Sequence, residues 1–164
     1  IAEKEAERLS LTDSLTGLAN RSALSQYLER EIPRNARQNT RLFCVYIDLD
    51  KFKPINDTYG HKAGDEVLIA IAKRLSDTVR QSDCAARIGG DEFVVMLTDI
   101  DNDNDAAHLS SRLQFEMTSP IYTSAGQLTV GASMGVAQCP LDGNTIDELL
   151  SAADTKMYEQ KRAR

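Results

Sequence analysis

The stretch Arg87-Ile88-Gly89-Gly90-Asp91-Glu92-Phe93 constrains this chain more than any other. Two adjacent glycines and two carboxylates lie between a run from Cys84 to Ile88 and a run from Phe93 to Leu97. Adjacent glycines supply the positive φ values that a short hairpin demands, so the two runs are expected to pair as strands about a charged turn. A hairpin of no functional consequence has the same appearance. A second acidic pair, Asp48 and Asp50, closes another apolar run, Leu42 to Leu49. Hard divalent cations bound to phosphates are commonly held by carboxylates from separate strand ends, and two such pairs point to that chemistry.

With 164 residues and 41% hydrophobic composition, the chain suffices for one well-buried domain and is too short for two. Its formal net charge of −6 argues against a binder of nucleic-acid polymers, which needs a basic face. Any nucleotide it holds is expected to be small and metal-chelated. Cys44, Cys84 and Cys139 show no metal-ligand spacing and sit in or beside apolar runs, so they read as packing residues in a reducing, cytoplasmic setting. No apolar run approaches a membrane span, and no signal-peptide pattern is present. The chain begins at Ile1 rather than Met, so it is expected to be a fragment whose parent can still be membrane-anchored, with this domain on the cytoplasmic side.

Residues 1–10 read as a helical connector from an upstream module, with Ala2, Ala6 and Leu9 on one face, and residues 11–164 as the domain proper. Asn20 is placed to cap a helix running to about Ala36. Leu42 to Leu49 reads as a central strand buried on both faces. A loop is expected over 51–65, then a long amphipathic helix from about Ala63 to Val79, where Val67, Ile71 and Leu75 recur at helical spacing. After the glycine hairpin come a helix from about Asp105 to Met117 and strands over Ile121 to Thr123 and Gln127 to Gln138. A closing helix from Ile146 to about Arg162 follows, capped by Thr145. This order contains a βαββαβ core, which predicts an α/β (α+β) domain with a mixed, mainly antiparallel sheet flanked by helices.

Asp48 and Asp91 are the candidate metal ligands, with the Leu49 backbone carbonyl beside them. Two carboxylates that leave the remaining positions to phosphate oxygens and water suit Mg²⁺. Taken singly, each is equally a strand-end or turn residue. The segment 51–65 mixes cations, amides and glycines, so it can hold both a triphosphate and a base. Lys53 is placed to stabilise phosphate charge in a transition state. Asn56 and Asp65 can together read the edge of guanine, an amide that donates and accepts beside a carboxylate that accepts. They are at least as readily a turn residue and a first-turn acid complementing a helix dipole. His61 is a further candidate contact, whereas His108 has no partner in view. The run from Asp101 to Asp105 looks like a calcium loop, but Ala106 and Arg112 stand where such a loop requires glycine and an acid, so it is read as a solvated cap.

Gly89-Gly90-Asp91-Glu92-Phe93 is letter for letter the signature of the GGDEF family of diguanylate cyclases, which the chain resembles over almost its whole length. The run from Asp13 to Arg21 is similar to the family's N-terminal motif. Asp48 to Lys53, Asn56 to His61 and Gly64-Asp65 are similar to its metal and guanine segment, and Ala153 to Arg162 resembles its closing helix. The resemblance implies a palm-like sheet shared with nucleotidyl cyclases and polymerases. The implied reaction joins two GTP into cyclic di-GMP with release of two pyrophosphates, at a homodimer interface. It carries Mg²⁺ or Mn²⁺, two per active site, to Asp48, the Leu49 carbonyl and Asp91. Asp91 is also the implied proton acceptor, Glu92 its support and Lys53 the transition-state stabiliser. Substrate contacts carry over to Phe52, Asn56, His61, Asp65, Gly89, Gly90 and Lys161. An arginine expected after Lys161 is not clearly matched, because Arg164 falls one position early.

Arg80-Gln81-Ser82-Asp83 lies upstream of the signature, with Arg80 nine residues before Gly89, where the family places an RxxD product-inhibition site. A guanidinium can pair with phosphate or stack on guanine, and a carboxylate can read a base edge. Arg112 is a candidate to complete that site. The alternative within the same resemblance is a catalytically silent domain that binds GTP or cyclic di-GMP as a receptor.

Overall fold

A computed structural model describes residues 10–163. The expected connector helix lies outside the described residues except for Ser10, as does Arg164. The chain runs α1 (Arg21–Gln38), β1 (Arg41–Asp50), α2 (Phe52–Tyr59), α3 (His61–Thr78), β2 (Cys84–Gly89), β3 (Glu92–Ile100), α4 (Asp103–Thr118), β4 (Ile121–Thr123), β5 (Gly126–Leu128), β6 (Gly131–Cys139) and α5 (Ile146–Arg162). The caps fall where the sequence put them. The Asn20 side chain accepts from Ala23 N and the Thr145 side chain from Glu148 N, each satisfying an orphan donor of a first turn.

The main sheet has the order β2-β3-β1-β6 and all its ladders are antiparallel, with β4 and β5 forming a separate small hairpin. Strand alternation sends Phe43, Val45, Ile47 and Leu49 to one face and Leu42, Cys44 and Tyr46 to the other. The first face is covered by α3 and α4 through Val67, Ile71, Leu75, Leu113 and Met117, the second by α1 and α5 through Leu24, Leu28, Leu149 and Met157. Both faces of β1 are therefore core, and each fully buried large aliphatic or aromatic side chain contributes about 1.5–3 kcal/mol. Gly135 on β6 lets α5 lie close, since a Cβ there would stand 2.0 Å from the Ala153 carbonyl oxygen. That approach brings the C-terminal end of α5 over the end of β1.

Two stretches differ from the sequence reading. The segment 51–65 is helical rather than loop, because Pro54 is tolerated in the first turn of α2 and Gly60 (φ 89°) turns the chain directly into α3. The expected strand from Gln127 to Gln138 is divided between β5 and β6, which belong to different sheets. The three cysteines are free and buried or half-buried, and burial pushes Cys44 up to about 12 and Cys84 up to about 11, so they pack as thiols. Among the described residues, no helix is long and apolar enough to cross a membrane.

Candidate active site

The carboxylates converge at one end of the sheet. β1 delivers Asp48 directly opposite Glu92 at the start of β3 and opposite Ser133 on β6. Between β2 and β3 the chain turns through Gly90 at φ 47°, a left-handed conformation that favours glycine. Leu49 N donates to the Asp91 carbonyl at 3.2 Å, which ties this turn to the end of β1. A side chain at Gly89 or Gly90 would meet nothing within 4 Å, so the space above the turn is open.

Lys161 on α5 donates to Asp48 Oδ2 at 2.9 Å, and the Asp48 side chain is only 15% exposed. Asp48 Oδ1 is buried without a hydrogen-bond partner. Burial works against the charge on Lys161, but the hydrogen bond to Asp48 and the charges of Asp48, Asp50 and Asp91 outweigh it and raise its pKa. Burial and the neighbouring Asp48 charge push the Asp91 carboxyl above the ordinary carboxylate value. Asp50 accepts from Ser133 Oγ at 2.7 Å, and Glu92 accepts from the Tyr46 hydroxyl.

Among the described residues, no group of three or more His, Cys, Asp or Glu is arranged to hold a metal. The donors still fit Mg²⁺ or Mn²⁺. An orphaned, buried carboxylate oxygen lies beside a second half-buried carboxylate, and such ions take few protein ligands when phosphate and water supply the rest. Asp48, Asp91 and the Leu49 carbonyl are the groups that would hold it.

Beside this centre, α2 starts at Phe52 straight after Lys51, which sits at φ 59° and provides no side-chain cap. The first N–H groups of α2 are thus available to an anion, where the helix dipole adds to their attraction. Lys53 is exposed in that first turn and Phe52 is buried. A cleft of about 550 Å³ adjoins it, lined by Asp50, Lys51, Ile55, Tyr59, Gly131 and Lys161. The Asn56 side chain on α2 lies against Gly64 of α3, the residue that precedes Asp65. Asp65 and His61 are both exposed on α3.

The sequence reading missed the support for the glycine turn. Arg87 donates to both Asp13 oxygens, at 3.1 and 3.2 Å, and to the Gly90 carbonyl at 2.9 Å. Asp13 also accepts from Thr16 N and Thr16 Oγ1, and Ala19 bridges the outer edge of β2 beside Ala86. The N-terminal segment is thereby clasped to the strand that carries the turn. Both motifs were visible, but nothing in a sequence pairs Asp13 with Arg87.

At the far end of the β2–β3 pair, Arg80 grips Asp83 through Nε and Nη2 at 3.0 and 2.9 Å, and Asp83 is fully buried. Thr98 N donates to Asp83 Oδ1, and the Thr98 carbonyl accepts from Arg80. Thr98 Oγ1 joins Glu31, Arg34 and Asn35 of α1 to the same network. The tetrad therefore has a structural role, while Arg80, 45% exposed, keeps a face toward solvent. Arg112 is exposed on α4 and forms no hydrogen bond to Arg80 or Asp83.

An antiparallel sheet flanked by helices, with acidic residues at one end, is the palm-like fold of nucleotidyl cyclases. The profile described as "Diguanylate cyclase, GGDEF domain" matches residues 10–164, and the chain belongs to this family. It is 41% identical over 160 residues, 98% of its length, to the bifunctional diguanylate cyclase/cyclic di-GMP phosphodiesterase MucR of Pseudomonas aeruginosa, of which it spans 23%. It is 39% identical to diguanylate cyclase TpbB of P. aeruginosa over 92% of this chain and 35% of that protein. The solved GGDEF domain of TpbB superposes with a TM-score of 0.89 at 38% identity, covering 93% of this chain and 90% of that one. DgcB of Caulobacter crescentus, solved with cyclic di-GMP, gives 0.83 at 26% identity, covering 99% and 86%. The chain thus spans between about a fifth and just under half of the curated relatives it matches.

Proposed function

We propose that this domain condenses two GTP molecules into cyclic di-GMP, releasing two pyrophosphates, and that two copies face each other with one GTP each. The observation that carries this reading is the meeting of Asp48, Asp91 and Lys161 with the uncapped start of α2 at one sheet end. A divalent cation bound there supplies charge neutralisation at the reacting phosphates. The α2 N–H groups, Lys53 and Lys161 hold the triphosphate, and Asn56 and Asp65 orient guanine. Each 3′-hydroxyl attacks the α-phosphate of the facing nucleotide, its proton passes to Asp91, and pyrophosphate leaves. Glu92 supports this site, with Phe52, His61, Gly89 and Gly90 bordering the substrate. The described residues carry one set of the proposed base-reading and phosphate-holding groups, which supports a second nucleotide brought by a second chain.

Product is proposed to inhibit at Arg80 and Asp83, with Arg112 as a third contact. The solved complex of DgcB with cyclic di-GMP supports product binding by this fold. The domain is proposed to act in the cytoplasm, under control of an upstream sensor module. The test is incubation with GTP and Mg²⁺ at several protein concentrations, followed by mass analysis of the nucleotides. Cyclic di-GMP formed with a rate per chain that rises with concentration is expected. Tight cyclic di-GMP binding with no turnover at any concentration would replace the enzyme with a receptor.

A further inference from the structure

Glu92 is surrounded by acid. It stands directly opposite Asp48 across the β1–β3 ladder and follows Asp91, while Lys161, the cation paired with Asp48, is engaged there. Like charges directly opposed on neighbouring strands repel, so an unrestrained Glu92 would swing outward. What restrains it is Tyr46. This tyrosine lies two residues before Asp48 on the same face of β1, is 8% exposed within the cluster formed with α1 and α5, and donates its hydroxyl to Glu92 Oε2. Its own ladder partners are Val94 and Gly135, so the bond to Glu92 runs diagonally.

We propose that Tyr46 is a positioning residue that draws the Glu92 carboxylate back along the sheet and fixes it beside the Asp48–Asp91 pair, so that the cation site is formed before substrate arrives. The inference rests on the reading of Asp48 and Asp91 as metal ligands. Two observations converge on it. The Tyr46 ring belongs to the buried cluster under α1 and α5, which limits how far its hydroxyl can move. A bond from a neutral donor to a carboxylate is stronger than one between neutral groups. With one Glu92 oxygen held by Tyr46, the other carboxylate oxygen retains its lone pairs for the site. Hydrogen bonds that orient groups around a metal site usually matter by tenfold or more in affinity.

The test measures Mn²⁺ binding to the purified domain without nucleotide, by the electron paramagnetic resonance of free Mn²⁺, alongside urea unfolding. Tyr46→Phe keeps the ring and is expected to weaken Mn²⁺ binding about tenfold to a hundredfold. Glu92→Asp, which withdraws the carboxylate from an intact Tyr46, is expected to show a similar loss. In a Glu92→Ala background, Tyr46→Phe should change Mn²⁺ binding no further, whereas a purely structural role would persist there. Equal affinity in wild type and Tyr46→Phe, an undiminished effect in the Glu92→Ala background, or no Mn²⁺ bound by the wild type would each overturn the proposal. Wild type that binds Mn²⁺ through Tyr46 yet makes no cyclic di-GMP would leave this inference standing and remove the cyclase reading instead.

Discussion

Gly64→Ala separates base recognition from folding. A Cβ at Gly64 would stand 1.7 Å from Asn56 Oδ1 and 2.9 Å from Asn56 Cγ, with Phe52 next at 3.4 Å. Regaining a 3.0 Å separation moves the amide oxygen by about 1.3 Å, the difference between 3.0 and 1.7 Å. The obstacle is the end of a side chain that can rotate, so the helices need not part. Alanine in a helix gains up to about 1 kcal/mol over glycine. An off-rotamer Asn56 costs about 0.5–1.5 kcal/mol. The two nearly cancel, and the urea midpoint should stay close to wild type. If the Asn56 amide reads guanine, its displacement leaves polar groups unpaired, which costs about 1–3 kcal/mol, or roughly fivefold to a hundredfold in GTP affinity. The assay is calorimetric titration with a non-reacting GTP analogue and its adenine counterpart, paired with urea unfolding. GTP affinity within twofold of wild type, together with unchanged preference over adenine, would refute the base-reading role of Asn56. A large loss of stability would instead refute the claim that the side chain can yield.

Arg87→Ala should destabilise the domain by about 2–3 kcal/mol, below the usual 3–5 for a broken buried pair because Asp13 keeps its two bonds from Thr16. It should also slow cyclic di-GMP formation, since the Gly90 carbonyl loses its anchor; urea unfolding with no measurable change would dismiss the clasp. Arg80→Ala should relieve inhibition by added cyclic di-GMP and leave the initial rate nearly intact, at a cost in thermal stability because Asp83 is fully buried. Unchanged inhibition in that variant would reduce the tetrad to a structural lock. Arg34 holds Glu31 below its ordinary value of 4.5, while Thr16 and Arg87 hold Asp13 below 3.8 against the opposing effect of burial. Their stabilisation is complete above those ordinary values and is lost as pH falls through the still lower folded-state values. Urea midpoints should therefore decline from about pH 5 to pH 2, and a midpoint that rises with acid would contradict the assignment.

The β1 strand, the glycine hairpin, the helices capped by Asn20 and Thr145 and the acidic strand ends were legible because each leaves a local mark: a period, a cap or a glycine pair. The helix α2 left little. Its polar residues and Pro54 disguise one short amphipathic turn packed through Phe52 and Ile55. The break between β5 and β6 is invisible because Thr129 and Val130 fit a strand as well as they fit a change of sheet. The same limit applies at the site. Asp48 and Asp91 announce themselves as carboxylates at strand ends. Tyr46 and Glu92 are separated by 46 positions, and Asp13 and Arg87 by 74, so only the folded register reveals which partner each one has.

β3 begins at Glu92 and holds Thr98, the carbonyl partner of Arg80, six residues later. At strand rise this is about 20 Å. A ligand gripped at the Arg80 end of a chain therefore shares no side chain with a nucleotide at the Glu92 end of that chain. Any restraint it exerts must pass through the ladder itself or through how two chains meet. If product binds there as proposed, abundant GTP would not displace it, and the output would be capped by accumulated product whatever the supply of precursor.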